Sequence, residues 1–414
     1  MGAGRLVEQA LSSSANVGDL AERPARVIAA GKSAPFMAIA LARAFPPGSC
    51  PGLAVGTHCP APLPAGIEWL RGGHPVPDEA SAAAGARALE IAGQLETSDR
   101  LIVLLSGGAS ALLAAPVPGL TLEDKRAVNE RLLAAGAEIQ PLNAVRKHLS
   151  RIKGGWLAAA AKGSTLTLAI SDVVGDDLSV IGSGPTVPDR SRFADALSVI
   201  DRLGGRTAYP AAAVVWLVEG SRGQHPETPK PGDPRLARSV ARVIGSRRDA
   251  LDGARRRAEE LGYAVTIIEK PVVGEARLAA RSFVSKAAGT ARGLPRPACI
   301  LAGGETTVHV TGHGRGGRNQ ELALACAGHL ADLGPAVVVA SMGTDGVDGP
   351  TDAAGAIVDS STLVRAKAAG LAEPDRYLAD NDSHTYFRAL GDLIVTGPTD
   401  TNVGDIQVVL IEGE

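Results

Sequence analysis

Short apolar runs alternate with alanine-rich helical stretches along nearly the whole chain, and this alternation restricts the fold more than any other feature. Residues 26–30, 101–105, 166–171, 264–268, 299–301, 336–340 and 408–411 read as strands. Residues 33–45, 110–115 and 321–330, and a stretch starting at Ala80, read as helices, and Val308, Val310 and Thr311 look β-like. The alternation predicts an α/β fold with mostly parallel sheets, in which ligands bind beyond the carboxyl ends of the strands. The chain is 414 residues long, enough for two domains. Four prolines fall within residues 225–234, which predicts a linker or exposed loop there and a domain boundary near residue 235.

Composition removes several function classes. The net charge is −2 and aromatics make up 3%, so the basic, stacking surface of a nucleic-acid binder is not expected. No apolar run reaches the roughly 18 residues that span a bilayer, and no signal peptide is evident, so the expectation is a cytoplasmic protein without a membrane partner. Cys50, Cys59, Cys299 and Cys326 lack C-x-x-C spacing and read as reduced thiols rather than zinc ligands or a disulfide framework.

The polar turns after the strands carry the chemistry. Residues 312–318 pack four glycines, His313, Arg315 and Arg318 between a strand and a helix. Glycines allow close backbone approach to an anion, helix N-termini attract one, and arginines offer planar donors, so this loop reads as an oxyanion site. Gly312, Gly314 and Gly317 also match the dinucleotide fingerprint, but the acidic residue at the right offset, Asp332, lies before the next strand rather than at its end.

In the N-terminal half, Gly31-Lys32-Ser33 resembles the end of a P-loop, yet Arg26 stands where the first glycine is needed. Lys32 therefore reads either as an anion-neutralising lysine at a strand-to-helix turn or as a solvated one near a helix start. Ser106, Gly107, Gly108 and Ser110 follow an apolar run and read as a phosphate nest or as a tight turn capped by Ser110. Asp172 and Asp176 end another strand, where they suit Mg²⁺ or an ordinary turn; Gly182, Ser183 and Gly184 follow closely. His74 lies in the loop 72–79, open to substrate binding or acid–base work, with Asp78 equally suited to capping the next helix. Asp345 and Asp348, residues 381–384 and residues 396–402 are further turns of this kind and suggest one rim of a site.

Taken in order, residues 31–33, 72–81, 106–111, 143–147, 171–189, 303–321, 343–359 and 396–405 resemble the glycerate 2-kinases that carry a MOFRL domain, some of which are labelled hydroxypyruvate reductase. The resemblance implies two α/β domains, a Rossmann-like one over residues 1–235 and a smaller MOFRL-type one over residues 236–414, with the active site in the cleft between them. It implies transfer of the γ-phosphoryl group of ATP to D-glycerate, with Mg²⁺, and gives Lys32 and Arg318 the places of two essential basic residues. Ser106, Gly107, Gly108, Ser110, Gly182, Ser183 and Gly184 are then the expected ATP or phosphate ligands. His74, Glu305, Arg315, Asn319 and Asp345 are expected to bind substrate, and Asp172 and Asp176 the metal. The expected enzyme is a monomer or small homo-oligomer with small-molecule partners only. The competing readings are an NAD(P)H-dependent hydroxypyruvate reductase using the 312–317 glycines and a non-catalytic acid-binding protein.

Overall fold

The computed structural model describes residues 2–12, 23–334 and 336–412. The chain forms two compact units, Gly2–Ile244 and a second from Gly245 onward. The proline-rich segment belongs to the first unit and is not an open linker. Thr228 within it is buried, and its hydroxyl donates to Asp189 at 3.0 Å.

In the first unit, β1 (Ala25–Ala30), β2 (Gly52–Gly56), β3 (Ile67–Arg71), β4 (Arg100–Leu105), β5 (Ser164–Ile170) and β6 (Ser239–Gly245) form a sheet in the order β3-β2-β1-β4-β5-β6. β1 to β5 pair in parallel. The strand order reverses between β1 and β4, the switch point of a doubly wound sheet. β4 is buried along all but its first residue because helices cover both faces, and its sequence RLIVLL is accordingly a continuous apolar run. Ile28, Leu53, Val103 and Ile91 share one core with residues of the helix Glu79–Gly93.

The second unit holds β7 (Ala264–Ile267), β8 (Val272–Glu275), β9 (Ala298–Thr307), β10 (Val337–Gly343), β11 (Gly355–Asp359), β12 (Leu393–Ile394) and β13 (Asp405–Ile411). The order is β12-β11-β10-β13-β9-β7, with β8 also on β9. Here the expectation of mostly parallel pairing does not hold. β13 runs antiparallel to both neighbours, β10 and β9, and β11 is antiparallel to β10 and β12. Burial alternates strictly along β10 and β13, so each of their faces meets a different layer. One face packs Val339 and Val409 with Phe283, Leu322 and Phe387; the other sets Val408 and Leu410 against Leu251 and Ala258 of the helix Arg247–Glu260. Truncating Phe283, 2% exposed, to Ala would cost about 3–5 kcal/mol.

Several predicted boundaries move. β9 stops at Thr307, so Val308, Val310 and Thr311 are not strand; Val310 and Thr311 are exposed and have no apolar face to bury. The helix expected over 321–330 starts at Arg318 and ends at Ala327. The one expected over 110–115 is a four-residue turn, Ala109–Leu112. No helix among the described residues is long and apolar enough to cross a membrane, and all four cysteines are free.

Candidate functional site

At the switch point the register aligns Ala30 with Leu105, and Leu105 with Ala169, so the turns after β1, β4 and β5 leave the sheet along one edge. The turn after β1 is keyed into the one after β4. The Lys32 amide donates to the Gly107 carbonyl at 2.9 Å, and the Ser33 amide donates to Ser106 Oγ at 3.0 Å. Gly31 has a φ of 130°, and a Cβ there would overlap Ser106, so only glycine permits this approach. The sequence thus brings Lys32, Ser106, Gly107 and Gly108 together at the place where open α/β sheets bind ligands.

The turn continues into a hydroxyl relay. Ser110 Oγ lies 3.0 Å from Ser183 Oγ, and Ser183 Oγ donates to Asn143 Oδ1 at 3.1 Å. Ser183 itself has a φ of 62° between two left-handed glycines. The amides of Ser183 and Gly184 donate to Val180 and Ile181 carbonyls at 2.8 and 2.9 Å. The segment 182–184 is therefore no open backbone nest for phosphate: its own turn takes these amides, and what it presents is the Ser183 hydroxyl. The four-residue helix that holds Ser110 likewise supplies little dipole, which leaves hydroxyls and cations as the anion-attracting groups.

Those cations escaped the sequence reading. A cavity of about 200 Å³ beside Gly108 and Ser110 is lined by Lys125, Arg146, Lys153, Asn129 and His74, and by no carboxylate among the described residues. Lys153 Nζ donates to the Ser110 carbonyl at 2.7 Å and to Ser110 Oγ at 2.9 Å. Arg146 donates to Asn129 Oδ1 at 2.9 Å. Burial, then the neighbouring Arg146 charge, lowers Lys125 to about 8; burial, Lys125 and Arg146 push Lys153 well below the ordinary lysine range. One sequence signal was available. The chain has only nine lysines among its 42 basic residues, and Lys125 and Lys153 are two of them.

His74 reaches the same pocket across Gly108, and Asp78 caps the following helix, accepting from the Ser81 amide at 2.8 Å. Asp172 and Asp176 both lie in the turn after β5, with Asp176 at a φ of 54°. Among the described residues no three His, Cys, Asp or Glu side chains group into a metal cage.

In the second unit the register sets Gly343, Asp405 and Gly304 side by side across β10, β13 and β9. Arg318 starts its helix here and makes a fork to the fully buried Asp405, Nε at 2.7 Å and Nη2 at 2.9 Å. Its Nη1 donates to Glu305 at 2.9 Å. Burial opposes the charge, but Asp405 and Glu305 hold the guanidinium above its ordinary pKa. The planar donors expected to meet an anion are engaged by two of the protein's own carboxylates.

The oxyanion expected at the glycine loop is also the protein's own. Asp348, buried, accepts the Asn319 amide at 3.0 Å and the Gln320 amide at 2.8 Å, the unpaired donors at the helix start. Burial nonetheless raises its pKa. The glycines serve packing: a Cβ on Gly312, Gly314, Gly316 or Gly317 would overlap Asp380, Asp382, Ser383 or Asp348 respectively. The Thr311 and Gly312 amides donate to Asn381 Oδ1 at 2.8 and 2.9 Å, and the His313 and Arg315 amides to Asp380 and Asp382 at 2.9 and 3.0 Å. A dinucleotide fingerprint needs these amides and glycine faces turned toward pyrophosphate, and here they are turned toward residues 380–383.

The remaining substrate candidates divide by exposure. Asn319 is 1% exposed, donates to Asp348 at 3.3 Å and accepts from Ser341 Oγ at 2.6 Å, which makes it a packing residue rather than a substrate ligand. Glu305 is exposed beside Arg318; Arg315 is exposed and donates to the Pro350 carbonyl at 3.1 Å. Asp345 is half-buried in the turn after β10, accepting the Val347 amide at 3.2 Å.

Known proteins match both units. Residues 2–218 match a domain described as one of unknown function, DUF4147, and residues 298–405 match the MOFRL family. A D-glycerate 2-kinase of Thermotoga maritima is 42% identical over 349 residues, 83% of this chain and 80% of its own. A putative hydroxypyruvate reductase of Agrobacterium vitis is 44% identical over 422 residues, 98% of this chain and 93% of its own. The crystal structure of a glycerate kinase from Thermotoga maritima superposes with a TM-score of 0.82 at 38% identity, covering 99% of this chain and 98% of that one. With a Rossmann-ordered parallel sheet, a MOFRL domain and relatives of this closeness along nearly its full length, the chain belongs to the MOFRL-containing glycerate kinase family.

Proposed function

We propose that this protein is a glycerate 2-kinase, moving the γ-phosphoryl group of Mg·ATP to the 2-hydroxyl of D-glycerate. The bond from γ-phosphorus to the ADP oxygen breaks, a bond to the glycerate 2-oxygen forms, and the hydroxyl proton is released. The observation that carries this reading is the interlocked pair of turns at the switch point, with Lys32 on one and Ser106 to Ser110 on the other, beside a pocket of cations and hydroxyls. Phosphoryl transfer asks the protein for position and charge neutralisation rather than covalent chemistry, and this is that inventory. The relatives named glycerate kinase support the same substrate.

Lys32 neutralises charge on the transferring group. Asp172 and Asp176, in the turn after β5, would hold the Mg²⁺ of Mg·ATP, which would offset the charge of the phosphates. Phosphorus NMR of the product tests the proposal: 2-phosphoglycerate and ADP are expected, and exclusive 3-phosphoglycerate or no ATP consumption overturns it. Oxidation of NADH or NADPH by hydroxypyruvate, without coupling enzymes, would establish the reductase instead.

A further inference from the structure

Among the described residues, the Lys125 ammonium has no hydrogen-bond partner, although Lys125 is only 4% exposed and lines the cavity beside Ser110. Buried charges are normally paired, because an unpaired one forfeits its hydration without return. Arg146, from the helix Ile139–His148, and Lys153, from the loop that follows it, face the same space. His74 completes the titratable lining, and among the described residues no carboxylate lines it. Ser110 adds a hydroxyl already ordered by Lys153 and Ser183. Three basic residues have thus converged on one cavity without a counter-charge among the described residues.

We propose that this cavity binds one small oxyanion group, either the carboxylate of a short hydroxy acid or a single phosphoryl group, on Lys125, Arg146 and Lys153. At about 200 Å³ it is smaller than the roughly 300–1,000 Å³ of pockets that enclose drug-sized ligands, so it takes a three-carbon acid or one phosphate and not a whole nucleotide. The proposal deepens the kinase reading, since Gly108 and Ser110 belong to both, but its test needs no turnover.

The binding step has a proton balance. Lys153 already directs two hydrogen bonds at Ser110, and its ammonium form has a third N–H for the anion to accept. An anion in the cavity favours the charged form of both lysines, so entry draws protons from solvent. Isothermal calorimetry on the full chain, in two buffers of different ionisation enthalpy, reads binding and proton uptake together. Inorganic phosphate alone and D-glycerate alone are the two probes. We expect at least one to bind with net proton uptake near pH 8, and affinity to fall at least tenfold in Lys125→Met and in Arg146→Gln. Binding of glycerate but not phosphate assigns the group as a carboxylate, and the converse as a phosphoryl. No binding of either probe to the wild-type chain, or wild-type affinity in both variants, overturns the proposal. Retained binding in a chain without kinase activity supports the pocket and overturns only the kinase reading.

Discussion

The ends of the two sheets treat charge in opposite ways. At the end of β4, Lys125, Arg146 and Lys153 crowd a cavity with no carboxylate among the described residues, and burial lowers the pKa of both lysines. At the ends of β9 and β10, Arg318 is matched by Asp405 and Glu305, and the helix start is matched by Asp348. Both ends are rich in the residue types associated with anion binding. Only the first leaves them without an internal counter-ion. A satisfied cluster holds the fold in one arrangement, whereas an unsatisfied one costs stability and persists where a ligand repays it.

The largest effect that sharpens this contrast is expected at Arg318. Arg318→Ala leaves Asp405 as a fully buried, unpaired carboxylate, at a cost of about 3–5 kcal/mol in stability, read by denaturant unfolding. Arg318→Lys keeps a charge without the planar fork and should recover less than half of that loss. A variant as stable as wild type would show that the pairing is not structural.

Lys32→Ala should do the reverse, losing on the order of 10²–10³ in kcat with an unchanged unfolding midpoint, since it removes a preorganised charge rather than a packing element. Turnover near wild type would reduce Lys32 to a surface residue.

Lys125→Met tests the cost of the unsatisfied cluster. A lysine at about 8 when folded and about 10.4 when unfolded binds fewer protons folded, so its burden is fully present below pH 8 and lifts as pH rises toward 10.4. The shift corresponds to roughly 3 kcal/mol. The variant should therefore be more stable than wild type at pH 7, with the difference shrinking between pH 8 and 10.4. Equal stability at both ends of that window would mean the ammonium has a partner.

The smallest expected effect is in the turn after β5, where Asp172→Asn should raise the Mg²⁺ concentration for half-maximal activity by about tenfold or less. An unchanged titration would move the metal role to another turn, such as that of Asp345.

Much of the first unit was legible from the chain. β1 and β4 are apolar runs ended by glycine and serine, and buried parallel strands leave that pattern. β3, reading IEWLR, and β8, reading VVGE, were not recognised, because short half-exposed strands mix polar and apolar residues without a clear period. The same limit applied at the site. Lys32 and Ser106 stand beside their glycines in sequence, so local pattern revealed them. Lys125, Arg146 and Lys153 come from separate elements and meet only in three dimensions. The glycine loop misled for a related reason: its composition is that of an anion cradle, but the groups that fill it, Asp348 and residues 380–383, are remote in sequence.

β13 follows every other strand of its sheet in the chain yet lies inside it, between β10 and β9. Until residues 405–411 are made, β10 and β9 lack the strand that joins the two halves of that sheet. The late strand also delivers Asp405, the buried partner of Arg318. Chains halted before it would expose two strand edges open to pairing and leave Arg318 with Glu305 as its remaining carboxylate partner.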